Sequence, residues 1–278
     1  MQRILITGAA GRIGRMLRAR MPRPDRELRL LDRVPVDEPG AITADVADLD
    51  AMMAACDGAD AVLHLGGISG EADWASIRDA NIEGTYSVFE AARRAGVPRV
   101  VYASSNHAVG FAHQPDDPDL EMPDDLGPRP DTLYGVSKVL GEALGSLYHD
   151  RYGLDVICLR IASRFARPQG ERMLSTWLSP ADAVRLLDAC LRAAAPGFRI
   201  VWGVSANSRG YLSREGGRAV GFHAEDDAER YADELFAAGR TDPSVLASEW
   251  DRRFIGGVFS SPAPPMHAGA SVGSPGSD

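Results

Sequence analysis

Thr7-Gly8-Ala9-Ala10-Gly11-Arg12-Ile13-Gly14 follows directly on the apolar run Ile4-Leu5-Ile6 and opens a stretch of helical periodicity. Three glycines at a spacing of three, between a strand and a helix, predict a specific turn. Gly8 permits the tight reversal, Gly11 lets backbone approach a pyrophosphate, and Gly14 lets the helix pack close. The helix start then offers N–H groups and the positive end of its dipole to phosphate oxygens. This reading predicts a dinucleotide site at the head of the chain.

The pattern continues outward from that turn. Strands are expected at 3–7, 27–31, 42–44, 61–65, 100–104 and 156–161. Helices are expected from Gly11 to Met21, from Leu49 to Cys56, as one long run from Ala75 to Ala95, and from Tyr134 to about Tyr152. Pro22 and Pro24 stop the first helix. Strands alternating with helices give an α/β fold, a Rossmann-type doubly wound parallel sheet. Beyond it, helices are expected over 181–195, after the cap Ser179-Pro180, and over 224–238, with a strand at 199–202. We expect residues 1–162 to form the nucleotide-binding domain. A small C-terminal substrate lobe, intertwined with it, spans 163–260. The Gly-, Ser-, Pro- and Ala-rich stretch 261–278 is expected to be a flexible tail.

Composition narrows the function classes. The chain has 278 residues, 45% hydrophobic and 25% charged, as in a soluble globular protein that needs no disulfides or metals for its core. A net charge of −9 argues against nucleic acid as a partner. No apolar run approaches a membrane span and the start has no secretory pattern, so the expected location is the cytoplasm. Cys56, Cys158 and Cys190 stand singly and read as small buried hydrophobes.

Of the 30 basic Lys and Arg residues, Lys138 is the one lysine. It lies four residues after Tyr134, in Tyr134-Gly135-Val136-Ser137-Lys138, so the two side chains share a helix face. A nearby ammonium favours tyrosinate and would make Tyr134 a usable base. Ser104-Ser105 ends the fifth strand, where a hydroxyl can bond a reacting oxygen. Asp32 ends the second strand, 18 residues after Gly14. A carboxylate there accepts both adenosine ribose hydroxyls and repels a 2′-phosphate, which favours NAD. Arg33 beside it would instead suit a phosphate. Asp45 after the third strand suits either the adenine amino group or a helix cap.

Together these residues resemble the extended, sugar-acting branch of the short-chain dehydrogenase/reductase superfamily, over about residues 1–260. The resemblance implies Tyr134 as base, Lys138 as its electrostatic partner and ribose ligand, and Ser105 as donor to the substrate oxygen. Ser105 is selected over Ser104 because Ser105-Asn106-His107-Ala108-Val109-Gly110 matches the branch's S-x-x-x-Y-G, with Val109 replacing the tyrosine. It also implies an NAD groove of Gly8, Ala10, Gly11, Arg12, Ile13, Gly14, Asp32, Asp45, Val46, Leu65, Gly66, Gly67 and Asn81.

Five segments, 64–69, 104–107, 133–138, 172–177 and 201–207, resemble the uronate dehydrogenases. Those enzymes oxidise C1 of galacturonate or glucuronate with NAD to an aldarolactone. The resemblance implies that Ser69, Asn106, His107 and Ser163 contact sugar hydroxyls or carboxylate, and that Arg172 holds the carboxylate. A guanidinium fork suits that task; taken alone, Arg172 reads as a solvated surface charge. Phe259 reads as closing the sugar pocket or as core. Where that family has Arg-Ile-Gly-Ser, this chain has Arg160-Ile161-Ala162-Ser163, followed by the bulky Arg164-Phe165. Oligomers are common in the superfamily, but no interface pattern is visible here.

Other readings are weaker. Ser105 with His107 suggests a hydrolase, but there is no GxSxG elbow. His64, His107 and His113 suggest a metal, but have no ligand spacing; His64, within a strand, reads as a satisfied core histidine. A nucleotide-sugar epimerase or dehydratase would need a longer C-terminal lobe. A non-catalytic NAD-sensing regulator would have no need of the tyrosine and lysine.

Overall fold

Strand β1 (Gln2–Thr7) runs up the centre of the molecule, and its residues alternate between two apolar layers. Ile4 and Ile6 face one layer and Leu5 the other, as the period of two in a strand requires. The computed structural model describes residues 1–117 and 119–267. After β1 come α1 (Arg12–Arg20), β2 (Arg26–Asp32), β3 (Ile42–Thr43), α2 (Leu49–Cys56) and β4 (Ala61–His64). A helical run follows, made of α3 (Trp74–Ile77), a π-helical turn Arg78–Glu83 and α4 (Gly84–Arg94). Then come β5 (Arg99–Ser105), α5 (Leu133–Tyr152) and β6 (Asp155–Ile161). The last part holds β7 (Ser163–Arg164), α6 (Met173–Thr176), β8 (Trp177–Leu178), α7 (Pro180–Arg192) and β9 (Phe198–Gly203). Three short helices end it: α8 (Glu215–Ala219), α9 (Ala232–Gly239) and α10 (Glu249–Arg253).

Seven strands pair in the order β3-β2-β1-β4-β5-β6-β9, and each pair is parallel. The expected α/β doubly wound sheet is therefore present. One apolar layer packs Leu17 of α1 and Leu186 and Leu187 of α7 on the sheet. The other packs Met52 of α2, Val88 and Phe89 of α4, and Tyr148 of α5. Strand order reverses between β1 and β4, and at such a point the strand ends leave a crevice.

The helix boundaries follow local chemistry. Thr132 caps α5 by accepting the Gly135 N–H at 2.9 Å, and Gly153 closes it in the left-handed region at φ +71°. Ser179 caps α7 with Pro180 in its first turn, as its sequence predicts. All three cysteines are buried and free, also as predicted.

Four expectations need correction. The run expected as one α-helix from Ala75 to Ala95 contains the π turn, where Asn81 donates to the Ile68 carbonyl and accepts from its N–H. The helix expected over 181–195 stops at Arg192, and Ala195 takes φ +43° ahead of Pro196-Gly197. The helix expected from Ala224 starts late. The Asp182 carboxylate accepts the N–H groups of Glu225 and Asp226, both at 3.0 Å, and holds them outside any helix. The expected tail is docked as far as it is described, since His267 N–H donates to the Glu71 carbonyl at 2.7 Å. Residues 268–278 of that tail lie outside the described residues.

Strand β9, from the 163–260 stretch, adds to the main sheet beside β6. Among the described residues no helix is long and apolar enough to cross a membrane.

Gly14 shows how tightly the first turn is built. A Cβ there would lie 2.4 Å from the Gly8 carbonyl oxygen and 2.7 Å from the Ala9 Cα. Both are backbone and cannot yield locally. Gly14→Ala is expected to destabilise the protein by about 1–3 kcal/mol, read as a fall in Tm of roughly 3–10 °C. Gly127→Ala, with nothing within 4 Å of its Cβ, is the control and should change stability by less than about 0.5 kcal/mol.

Candidate active site

A single cleft of about 850 Å³ opens along the strand ends, from Asp32 at one end to Arg172 and Phe259 at the other. It brings together Gly8, Ala10, Gly11, Arg12, Ile13, Gly14, Asp45, Val46, Leu65, Gly66 and Gly67. Ser69, Ser105, Asn106, His107, Tyr134, Lys138 and Ser163 line it as well. Of the expected site residues only Asn81 is absent from the lining. Asn81 sits behind the wall and bonds Ile68 and, at 3.1 Å, the Ser137 hydroxyl.

The Asp32 half of the cleft is shaped by backbone. Gly8 has φ +72°, and a Cβ on it would strike Leu65 and Gly66 at 2.7 Å. Gly11 is the N-cap residue of α1 and offers no side chain to the first turn. That leaves the helix start open to an anion. Asp32 receives the Ala10 N–H at 2.9 Å and the Val34 N–H at 3.1 Å, which fixes its carboxylate at the end of β2. Asp45 accepts the Ala47 N–H at 2.9 Å in the loop before α2, whose cap is Asp48, and also lines the cleft. A narrow glycine cradle, an uncapped helix start and a fixed carboxylate fit the pyrophosphate and ribose of a dinucleotide.

Strand alternation separates the two serines at the end of β5. Ser104 also lines the cleft, but its hydroxyl donates to Glu142 on α5 at 2.6 Å and joins the buried pair formed by Glu142 and Arg160. Ser105 belongs to the opposite side and neighbours the Tyr134 phenol. Lys138 Nζ donates to the Ala103 carbonyl at 2.8 Å and lies 5.0 Å from the Tyr102 ring centroid and 5.3 Å from that of Tyr134.

Burial dominates the titration of this pair. It pushes the Tyr134 hydroxyl up to about 12, against the Ser105 hydrogen bond, and pushes Lys138 down to about 8, against the Glu142 charge. The ammonium was expected to lower the tyrosine. In the protein alone desolvation decides, because Tyr134 is only 8% exposed, and Lys138 does not lower its pKa.

The Arg172 end of the cleft is held by residues that sequence reasoning missed. Asp131, whose side chain is fully buried, faces His107 Nδ1 at 3.0 Å and accepts from Ser260 at 3.1 Å. The His107 ring packs on Phe259 with centroids 4.5 Å apart, so Phe259 is both a wall of the cleft and part of its packing. Glu71 accepts the N–H groups of Leu133 at 3.2 Å and Tyr134 at 2.9 Å, and so fixes the start of α5. Arg172 is no solvated surface charge. It donates to the Ser163 hydroxyl at 3.2 Å and to the Ile255 carbonyl, and stands 3.7 Å from Asp251. Its Nε is buried with no hydrogen-bond partner among the described residues. Asp131 and Glu71 are each drawn in from another element, and no local spacing signals such partners.

His64 is the satisfied core histidine predicted. It bonds Thr7 Oγ1 at 2.8 Å and Thr85 Oγ1 at 3.2 Å, and Thr7 Oγ1 in turn accepts the Gly66 N–H. Among the described residues no cluster of three or more His, Cys, Asp or Glu stands ready to hold a metal.

The chain belongs to the NAD dependent epimerase/dehydratase family, whose model matches residues 4–206. Within that class it is similar to uronate dehydrogenases. The Pseudomonas putida uronate dehydrogenase is 38% identical over 268 residues, covering 94% of this chain and 97% of that one. A crystal structure of uronate dehydrogenase from Agrobacterium tumefaciens is 40% identical with a TM-score of 0.85, covering 94% of this chain and 97% of that one. A tyrosine-to-alanine variant of it complexed with NAD gives a TM-score of 0.84 at 38% identity, covering 96% and 99%. An NAD-dependent glucose-6-phosphate dehydrogenase of Haloferax volcanii is 38% identical over 253 residues, 83% of this chain and 95% of its own. The resemblance read from the sequence is therefore borne out.

The His64 environment yields a pH prediction. Burial, then the Lys138 charge, lowers its pKa from 6.5 to about 3. Above pH 6.5 both folded and unfolded chains hold it neutral, and its contribution is complete. As pH falls below 6.5 the unfolded chain takes a proton that the folded one refuses, so stability is lost down to about pH 3. From pH 6.5 to 5.0 this amounts to about 2 kcal/mol. Urea unfolding of wild type and His64→Asn at both pH values should show the variant less stable at pH 6.5 but about 2 kcal/mol less sensitive to the drop. Equal sensitivity would mean that His64 protonates in the folded protein.

Proposed function

We propose that this protein is an NAD-dependent uronate dehydrogenase that oxidises C1 of galacturonate or glucuronate to the aldarolactone in the cytoplasm. The observation that carries this reading is the one cleft. It joins a dinucleotide cradle to the Ser105, Tyr134 and Lys138 cluster and ends on a guanidinium, Arg172, whose Nε stands 3.7 Å from Asp251 and has no hydrogen-bond partner among the described residues. Family membership and the likeness to uronate dehydrogenases over nearly the whole chain support the same reading.

The cradle of Gly8, Gly11 and the start of α1 would hold the pyrophosphate, and Asp32 the adenosine ribose, which disfavours a 2′-phosphate there. Bound NAD supplies the hydride acceptor. The chain's own residues do the rest. Ser105 and Tyr134 receive the C1 hydroxyl between them. Tyr134, a neutral phenol in the protein alone, would act as base only as the tyrosinate, favoured by Lys138 and by the positive charge of bound NAD. That tyrosinate takes the hydroxyl proton as the C1–H bond breaks. Lys138, held by the Ala103 carbonyl, offsets the charge on the tyrosinate oxygen. Asn106, His107, Ser69 and Ser163 would meet the ring hydroxyls. Arg172 fixes the far carboxylate, so a group remote from the chemistry orients C1.

A panel of free uronates, neutral hexoses, sugar 6-phosphates and nucleotide sugars, scored by NADH formation, tests the substrate class. The Arg172→Ala variant sharpens it. Loss of a charge-assisted contact of about 2–3 kcal/mol should lower kcat/KM for galacturonate roughly thirty-fold to two-hundred-fold. Galactose, which lacks the carboxylate, should lose several-fold at most. Equal losses for both sugars, or none for either, would remove Arg172 from carboxylate recognition.

A further inference from the structure

Strand β7 has two residues, and they face opposite ways. Ser163 turns toward Thr176 and Arg172 on the sugar side. Arg164 turns the other way and spans the cleft to α1. Its Nη2 lies 3.0 Å from Met16 Sδ and 3.5 Å from the Arg12 carbonyl oxygen. The Arg164 Nε is buried with no hydrogen-bond partner among the described residues.

Among the described residues no carboxylate answers this guanidinium. Among the described residues Arg12, Arg20 and Arg164 form no ion pair, although the chain as a whole carries nine excess negative charges. Burial, then the charges of Arg20 and Arg12, pushes the Arg164 pKa down. Arg12 and Arg164 line the same stretch of cleft as Gly11 and Ile13, where α1 begins without a side-chain cap. A partly buried guanidinium among like charges is unfavourable until an anion joins it. Phosphate oxygens suit its planar fork.

We propose that Arg164 is a phosphate ligand whose guanidinium, carried from β7 to the side of α1, meets the pyrophosphate of the bound dinucleotide beside the α1 turn. The pyrophosphate is then held by residues of β7 and α1, two elements from distant parts of the chain. This rests on the NAD reading above. A phosphorylated sugar would offer the same oxygens. The contacts favour the dinucleotide, because Arg164 reaches Arg12 and Met16 of the cofactor helix, whereas Ser163 and Arg172 occupy the sugar side.

The test is direct titration of Arg164→Gln and Arg164→Lys with NADH, by fluorescence, and with ADP-ribose, by calorimetry. Glutamine keeps a polar amide and removes the charge; lysine keeps the charge and removes the fork. Arg164→Gln should raise both dissociation constants about tenfold to a hundredfold. Lysine should recover part of the loss, and the wild-type affinity should fall more steeply with salt than that of the glutamine variant. In turnover, the loss of kcat/KM should be carried by the KM of NAD rather than that of the sugar. Unchanged NADH and ADP-ribose affinity in Arg164→Gln would overturn the proposal. That holds whether nothing else moves or the loss falls on the uronate or a sugar 6-phosphate. ADP-ribose binding needs no sugar, so a wrong uronate assignment would leave this test intact. A wild type that binds neither ligand would instead refute the cofactor reading and the proposal with it.

Discussion

Burying an ammonium is the constraint around which the rest of the site is arranged. Lys138 is only 7% exposed, and desolvation alone lowers its affinity for a proton. The fold compensates from several sides. The Ala103 carbonyl accepts from Nζ, the rings of Tyr102 and Tyr134 lie within about 5 Å, and Glu142 pulls the pKa back upward. Each compensating group has its own requirement. Glu142 is shared by Arg160 and Ser104, and Arg160 is tied in turn to the carbonyls of Asp124 and Leu126. Gly141 leaves room for Tyr102, whose hydroxyl would lie 2.4 Å from a Cβ at that position. The site is thus continuous with the core packing of α5 on β5 and β6.

The same helix face has to present Tyr134 at a fixed height. Thr132 caps α5, and Glu71 holds the N–H groups of Leu133 and Tyr134. Glu71 also receives the His267 N–H through its carbonyl, so the chain after the last helix is tied to the segment that anchors the tyrosine. Asp131 fixes His107 beside it. Preorganisation of this kind costs little at the moment of reaction, because the dipoles and charges are already oriented.

Much of this was legible in the amino-acid sequence, for physical reasons. Buried parallel strands are apolar runs, so β1, β4, β5 and β6 stood out. The turn of Gly8, Gly11 and Gly14 can be read because φ +72° at Gly8 and the close approach at Gly14 exclude a side chain. Tyr134 and Lys138 are four apart on one helix, so their meeting is local. What escaped was long-range. The π turn at Arg78–Glu83 carries Asn81, which bonds Ile68 thirteen residues earlier. The loop at Glu225 and Asp226 is held by Asp182, some forty residues earlier in the chain. Glu71 reaches α5, Asp131 reaches His107 and Arg164 reaches α1 only after the sheet has assembled. Residue type alone made Arg172 look like a surface charge, and only packing put its Nε out of water.

The central claim is that this site needs a compact ammonium at position 138 and not merely a positive charge. Lys138→Arg preserves the charge but places a larger, planar cation between Ala103, Tyr102 and Tyr134. The decisive measurement is kcat for galacturonate at saturating NAD in that variant, with Tm and circular dichroism to establish that it is folded. A folded variant with kcat reduced at least about a hundredfold, in keeping with the loss of a general acid–base group, is the predicted result. Turnover within a few-fold of wild type would contradict the role assigned to the Tyr134–Lys138 pair.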